Sequence, residues 1–328
     1  HRGRSDTVKR ALSDFGIDES FGKASQKFKE HYSFEIGIST VDRTTKEIAI
    51  EASEYIDNKL SSMEDKDRND LFAEKILAEL DGCEIRTAEM DVSEDSDQRT
   101  PVCNNLKKKK TIKWRDVRIG FARPLDQKEK LFVGKMDSYP VVIKQLYNAA
   151  ELTGMTSETE VIGVTDGANG LSEELKRQFP NMQFILGKSH LRDHFYDTAE
   201  KMDICKEERA KWVEPKIKEI SNGEVDRIKE ELALEYDQNP SDRLRRLIGY
   251  LSRFIDALDY DSFKEKGYPI GSGEIESAHK SVPQKRLKIP GATWNPDSID
   301  PMLALRILRA DDWWEDFWTQ RAEKYLAA

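Results

Sequence analysis

The chain has 328 residues, enough for a substantial buried core and for more than one structural unit. Hydrophobic residues make up 38% and charged residues 35%, and no apolar run approaches the roughly 20 residues of a membrane span, so no membrane role is expected. The formal net charge of −9 excludes a sequence-blind nucleic-acid coat, because such proteins gain affinity from excess Lys and Arg; any such contact must be local. Cys83, Cys103 and Cys205 are odd in number and far apart, which predicts a reducing compartment and no zinc site. The start at His1 carries no apolar segment of a signal peptide and reads as part of a longer protein.

Residues 7–62 read as helical. Phe21, Ala24, Phe28 and Tyr32 recur at helix spacing, Ser33–Gly37 is a short connection, and Ser39 is the expected N-cap of a second helix. Two helices with a tight link resemble a helix-turn-helix, in which Thr40, Arg43 and Lys46 would face DNA; a helical hairpin packed on the next domain is the alternative. Residues 1–81 form the expected N-terminal helical region.

The periodicity changes near 82. Strands are expected over Glu84–Val92, Thr111–Pro124 and Lys130–Met136, then a helix over Tyr139–Thr153, a strand over Glu160–Thr165, a helix over Ser172–Gln178, a strand over Met182–Leu186 and a helix from about Ser189. Three early strands followed by alternating helix and strand is the order of an α/β domain of the RNase H-like kind, which places acids at strand ends around a metal pair. Its first part is expected over 82–189. Residues 190–267 carry many charges and no strand signal, so they read as a helical insertion, and 268–328 return to the core. The aromatic run Trp313–Trp318 is expected to seal the last helix onto that core.

Two-metal phosphoryl transfer needs about three converging carboxylates. Asp166 ends the apolar strand Val-Ile-Gly-Val-Thr, and Gly167 after it leaves room for close backbone approach. In Gly271-Ser-Gly-Glu-Ile-Glu-Ser-Ala278, Glu274 and Glu276 lie about 200° apart on a helix, so only one can enter the site. For the first acid, Asp91 sits nearest the expected exit of its strand, with Glu89, Glu94 and Asp95 as rivals. Lys280, Lys285, Arg286 and Lys288 follow the glutamates and would meet phosphates, as would the loop run Lys107–Lys110 if it is more than a solvated turn. His190 is a candidate phosphate contact or a structural residue at a helix start.

The chain resembles the DDE transposases of bacterial insertion sequences, of the Kra type within the mutator-like, RNase H-like group. The likeness runs through Phe15-Gly16, Phe21-Gly-Lys-Ala-Ser25, Trp114-Arg-Asp-Val-Arg-Ile-Gly120, Val164-Thr-Asp-Gly-Ala168, Gly271-Ser-Gly-x-Ile-Glu-Ser-Ala278 and the terminal Ala-Leu-Arg and Trp-x-x-Phe-Trp stretches. It implies that Glu276, rather than Glu274, is catalytic, that Asp166 is the second aspartate and that Asp91 is the first. It further implies two Mg²⁺ ions, replaceable by Mn²⁺, held by these three acids, and double-stranded DNA, both element ends and target, as partner. A homo-oligomer on DNA in the bacterial cytoplasm, associated with the nucleoid, is expected. Two departures stand out. The family has Asp-Gly at the first acid where this chain has Asp91-Val92, and Gly187-Lys-Ser-His190 lacks the Asp or Cys usual three residues before the histidine. The expected activity is metal-dependent DNA cleavage and strand transfer. A catalytically inactive, domesticated DNA-binding descendant and a nuclease without strand transfer are the alternatives.

Overall fold

The computed structural model describes residues 4–61, 72–92, 108–168, 170–202 and 204–326. Side chains at 90–92, 108–109 and 325–326 are outside the description, as are Glu94, Asp95, Cys103 and Lys107 of the sequence reading. The chain is mixed α/β. Helices α1 (Asp6–Asp18), α2 (Phe21–Tyr32) and α3 (Ile38–Ser61) precede strands β1 (Lys75–Val92), β2 (Lys108–Pro124) and β3 (Leu131–Lys135). Next come α4 (Tyr139–Leu152), β4 (Glu160–Thr165), α5 (Leu171–Gln178) and β5 (Gln183–Leu186). Helices α6 (Lys188–Lys201), α7 (Lys206–Ile220), α8 (Val225–Gln238), α9 (Asp242–Arg253) and α10 (Tyr260–Glu265) then run with no strand among the described residues. Helix α11 (Gly273–His279) continues through a π-helical stretch, Lys280–Gln284, into α12 (Lys285–Leu287), and α13 (Ile299–Ala310) and α14 (Trp314–Leu326) close the fold.

The five strands form one sheet in the order β3-β2-β1-β4-β5. β1 pairs antiparallel with β2 and β2 with β3, whereas β4 runs parallel to both β1 and β5. The inner half of β1 shows why it lies centrally: Ile76, Leu77, Ala78 and Leu80 are all fully buried, an apolar run covered on both faces. β3 is an edge strand. Its side is covered from α13, where Asp311 accepts from the Phe132 N–H at 2.9 Å and Asp300 from the Met136 N–H at 2.6 Å.

The expected boundary at 81/82 falls inside β1, which starts at Lys75. Nor do the N-terminal helices stand apart: Ile48, Ala49 and Ala52 of α3 belong to the same buried core as Leu303 and Ile307 of α13. A Cβ on Gly16 would strike Thr45 Oγ1, so glycine there permits the close α1–α3 approach.

Arg286 corrects an expectation. Expected to meet phosphates, it is instead 3% exposed. Its guanidinium lies between the rings of Phe21 and Trp294, at 4.6 and 4.7 Å from their centroids, and Nε donates to the Gly16 carbonyl at 2.9 Å. Burial pushes its pKa down to about 10. Arg286 therefore pins α1 and α2 to the segment after α12. Replacing it by Ala removes a charged hydrogen bond and two ring contacts and is expected to cost about 2–4 kcal/mol. The urea midpoint should fall accordingly, while Lys288→Ala, at an exposed position of the same segment, leaves it unchanged.

Candidate active site

The site is built where β1 and β4 run side by side. Their pairing runs from Lys75↔Glu160 to Glu79↔Val164, and Asp81 and Asp166 each follow two residues beyond that last pair. Adjacent strands lie about 4.8 Å apart. Both acids act on one phenol: burial is the larger cause of the raised pKa of Tyr139, and the charges of Asp166 and Asp81 add to it.

Asp91 is elsewhere. It pairs with Lys109, ten residues farther along β1, where β4 no longer accompanies the strand. At about 3.3 Å per residue it sits roughly 30 Å beyond Asp81. The expectation that Asp91 joins Asp166 and Glu276 is corrected on that ground, and its rival Glu89 is occupied by Lys113 at 2.8 Å and by Arg115.

Helix α11 crosses this end of β1. Ile275, Ala278 and His279 are buried against it, and the Ile275 N–H donates to Glu79 Oε2 at 2.9 Å. His279 Nε2 approaches Asp81 Oδ2 at 3.3 Å, an ion-pair contact without the alignment of a hydrogen bond. Glu276, three residues before His279, is on the neighbouring position of the helix face and accepts from Ser272 Oγ at 3.0 Å. Ser272 Oγ also meets His190 Nε2 at 3.1 Å and Ser189 Oγ at 3.3 Å. The geometry separates the two glutamates: Glu274 is held by Arg123 at 2.6 Å and Lys130 at 2.8 Å, so its charge is already neutralised.

At the end of β4, Asp166 Oδ1 accepts from the Ala168 N–H at 2.9 Å, and Tyr250 of α9 donates to the Asp166 carbonyl at 3.2 Å. Gly167 has φ +70°, and a Cβ there would come within 2.8 Å of Leu186 Cδ1 and 3.0 Å of Phe254 Cζ. Glycine is required at that turn. Tyr260 donates to the Leu186 carbonyl at 2.7 Å, so the helical region tethers the ends of both β4 and β5.

The acids are oxygen donors of the kind that suits Mg²⁺ or Mn²⁺. Among the described residues no three carboxylate, imidazole or thiol groups converge closely enough, as they stand, to hold an ion. Each acid is turned to a protein donor instead: Asp81 to the Gly82 N–H at 2.6 Å and to His279, Asp166 to Ala168, Glu276 to Ser272. Binding an ion there would require these contacts to exchange.

The other expected contacts divide. Lys280 and Lys288 are exposed, while Lys285 pairs with Asp18 at 3.0 Å. On α3, Thr40 is half-buried, Lys46 pairs with Asp42 at 2.9 Å and Arg43 lies 3.8 Å from Glu47, so acids of the same helix offset both cations. His190 is engaged with Ser272.

Burial, the largest influence on Asp81, works to raise its carboxyl, but His279, the Gly82 N–H and the His190 charge together hold it below the ordinary value. Burial likewise works to lower His279, yet Asp81 and Cys83 outweigh it and bring the imidazole up to about 9. Burial pushes Glu79 up to about 8. Both raised groups bind protons more tightly folded than unfolded, so each contributes stability at low pH that is lost as pH rises: Glu79 from 4.5 to about 8, His279 from 6.5 to about 9. Between about pH 8 and 9 His279 is the larger contributor, since Glu79 has already lost half or more of its proton. The urea midpoint of the wild-type protein should drop across that interval, and His279→Gln should make the drop shallower.

Comparison of the chain with protein-family models gave no match, and comparison with curated proteins gave none.

Proposed function

We propose that the protein is a DDE-type transposase that cuts DNA and joins strands with Mg²⁺, using an RNase H-like core interrupted by the helices between Lys188 and Glu265. The observation that carries this reading is the parallel β1–β4 pairing up to Glu79↔Val164, beyond which Asp81 and Asp166 both follow at the end where the helix bearing Glu276 packs on Glu79. Three antiparallel strands followed by alternating helix and strand support the same core, as does the helical run after β5, which holds no strand among the described residues. Asp81 is followed by Gly82, the Asp-Gly pair that the family resemblance calls for and that Asp91-Val92 lacks.

In this reading Asp81, Asp166 and Glu276 hold the metal. Mg²⁺, when bound, supplies Lewis-acid stabilisation of charge on the phosphodiester oxygens and a more acidic nucleophile. The chain's own groups prepare that site. His279 keeps Asp81 ionised and fixes its carboxylate, Ser272 ties Glu276 to His190, and Tyr250 with the Gly167 turn fixes the backbone that carries Asp166. Lys280 and Lys288, exposed on the segment beyond Glu276, are placed to hold backbone phosphates. Water and then a DNA 3′-hydroxyl are the two nucleophiles that this reading requires.

Asp81→Asn and Glu276→Gln should each lower Mg²⁺-dependent nicking of supercoiled plasmid by at least about a hundredfold, since metal stabilisation is worth several kcal/mol. Asp91→Asn should nick at the wild-type rate. Joining of a labelled 3′-hydroxyl oligonucleotide to the plasmid should fail in the same two variants. Normal nicking by Asp81→Asn overturns the site, and nicking without joining in the wild type leaves a nuclease.

A further inference from the structure

The β1–β2 ladder runs from Ile76↔Pro124 out to Val92↔Lys108. Its flanking strands stop early: β4 leaves β1 at Glu79, and β3 leaves β2 at Arg118. From Cys83↔Val117 outward the two strands form a ribbon, about 30 Å long at 3.3 Å per residue, which matches about one turn of duplex DNA. It grows directly from the residues that follow Asp81.

The two faces of this ribbon differ. One buries Ile85 and Thr87, and the edge of β1 away from β2 is bridged there by Trp294, whose carbonyl accepts from the Ala88 N–H at 2.8 Å and whose N–H donates to the Arg86 carbonyl at 3.1 Å. On that face Glu89 pairs with both Lys113 and Arg115. The other face carries the cross-strand pairs Arg86↔Trp114, Ala88↔Ile112 and Met90↔Lys110. Trp114 is 59% exposed and Ile112 39% exposed. Arg86 and Lys110 are exposed and have no acidic partner among the described residues. Nearer the sheet the same face has Glu84 opposite Asp116, with Arg118 at 3.8 Å from Asp116, so the basic and aromatic character belongs to the distal half.

We propose that this distal face is a duplex-DNA contact: the ribbon lies along a groove, Trp114 lodges against a base step, and Arg86 and Lys110 meet the flanking phosphates. The proposal rests on the reading that the protein handles DNA. Charge complementarity favours DNA over a protein partner, because Arg86 and Lys110, without an acidic partner among the described residues, bracket the exposed ring. Area does too. One Trp offers about 150–250 Å² and a stable protein interface needs about 800 Å² per partner. Two-stranded ribbons fit DNA grooves, and apolar wedges at base steps are a common means of holding a bent duplex.

The test is binding of the full chain to a fluorescein-labelled duplex several turns long, in EDTA so that no chemistry intervenes. Trp114→Ala should weaken binding about tenfold or more, and Trp114→Phe should restore most of it, as for a stacking contact. Arg86→Gln with Lys110→Gln should flatten the slope of log K against log salt by about 1–2, at roughly 0.9 per phosphate. Wild-type binding that Trp114→Ala leaves unchanged overturns the ribbon contact and spares the active-site reading. A wild-type chain that binds no duplex overturns both. A Trp114→Ala chain that changes from dimer to monomer by light scattering, with its DNA affinity intact, makes the face a contact between copies and also overturns the proposal.

Discussion

The parallel pairing of β1 with β4 is the constraint on which the candidate site depends. A strand's side chains alternate with period two, so a slip of one residue would turn Asp81 away from the face it shares with Glu79 and place Leu80 there instead. The register is fixed by burial: Ile76, Leu77, Ala78 and Leu80 are buried, as are Val161, Ile162 and Val164 opposite. Hydrophobic burial on both faces thus sets where the pairing of β1 and β4 ends, and the two carboxylates beyond it contribute nothing favourable to that placement. They are like charges on adjacent strands, relieved on one side by His279 and on the other by the backbone turn after Asp166.

The helix from Gly273 to Leu287 is the second element, and both its ends are fixed. At its start the Ile275 N–H is bound by buried Glu79, and Glu274 is held between Arg123 and Lys130. At its end Arg286 is sandwiched by Phe21 and Trp294, and Arg306 of α13 donates to the Val282 carbonyl at 3.2 Å while pairing with Asp18. The π-helical stretch accommodates Pro283 between these anchors, a local irregularity of the kind that often accompanies functional segments. The N-terminal helices consequently buttress the segment that carries Glu276. Their packing onto α13 favours the helical hairpin over a free-standing helix-turn-helix.

Most elements were legible because their periodicity was strong. Glu160–Thr165 matches its strand to the residue, and α4 and β3 differ from expectation by one position at their ends. The start of β1 was not legible. Lys75-Ile-Leu-Ala-Glu-Leu80 is made largely of good helix formers, and only the neighbouring strands make it extended, an override of local propensity by tertiary burial. The expected helical region up to residue 81 thus hides Asp81, and the acid nearest the exit of the expected strand is Asp91. The Asp81-Gly82 pair was the available signal. The inward turn of Arg286 between two rings is hidden in the same way, because the sequence shows only a basic run. Glu274 and Glu276 could not be separated by helix geometry alone; the ion pairs of Glu274 with Arg123 and Lys130 separate them.

The account turns on Asp81 sharing a metal with Asp166. Crystals of the protein soaked in Mn²⁺ and measured for anomalous scattering would locate the ion directly. The account predicts anomalous density between the carboxylates of Asp81 and Asp166, with Glu276 turned from Ser272 toward it. Density at Asp91, or none at the β1–β4 junction, would contradict it.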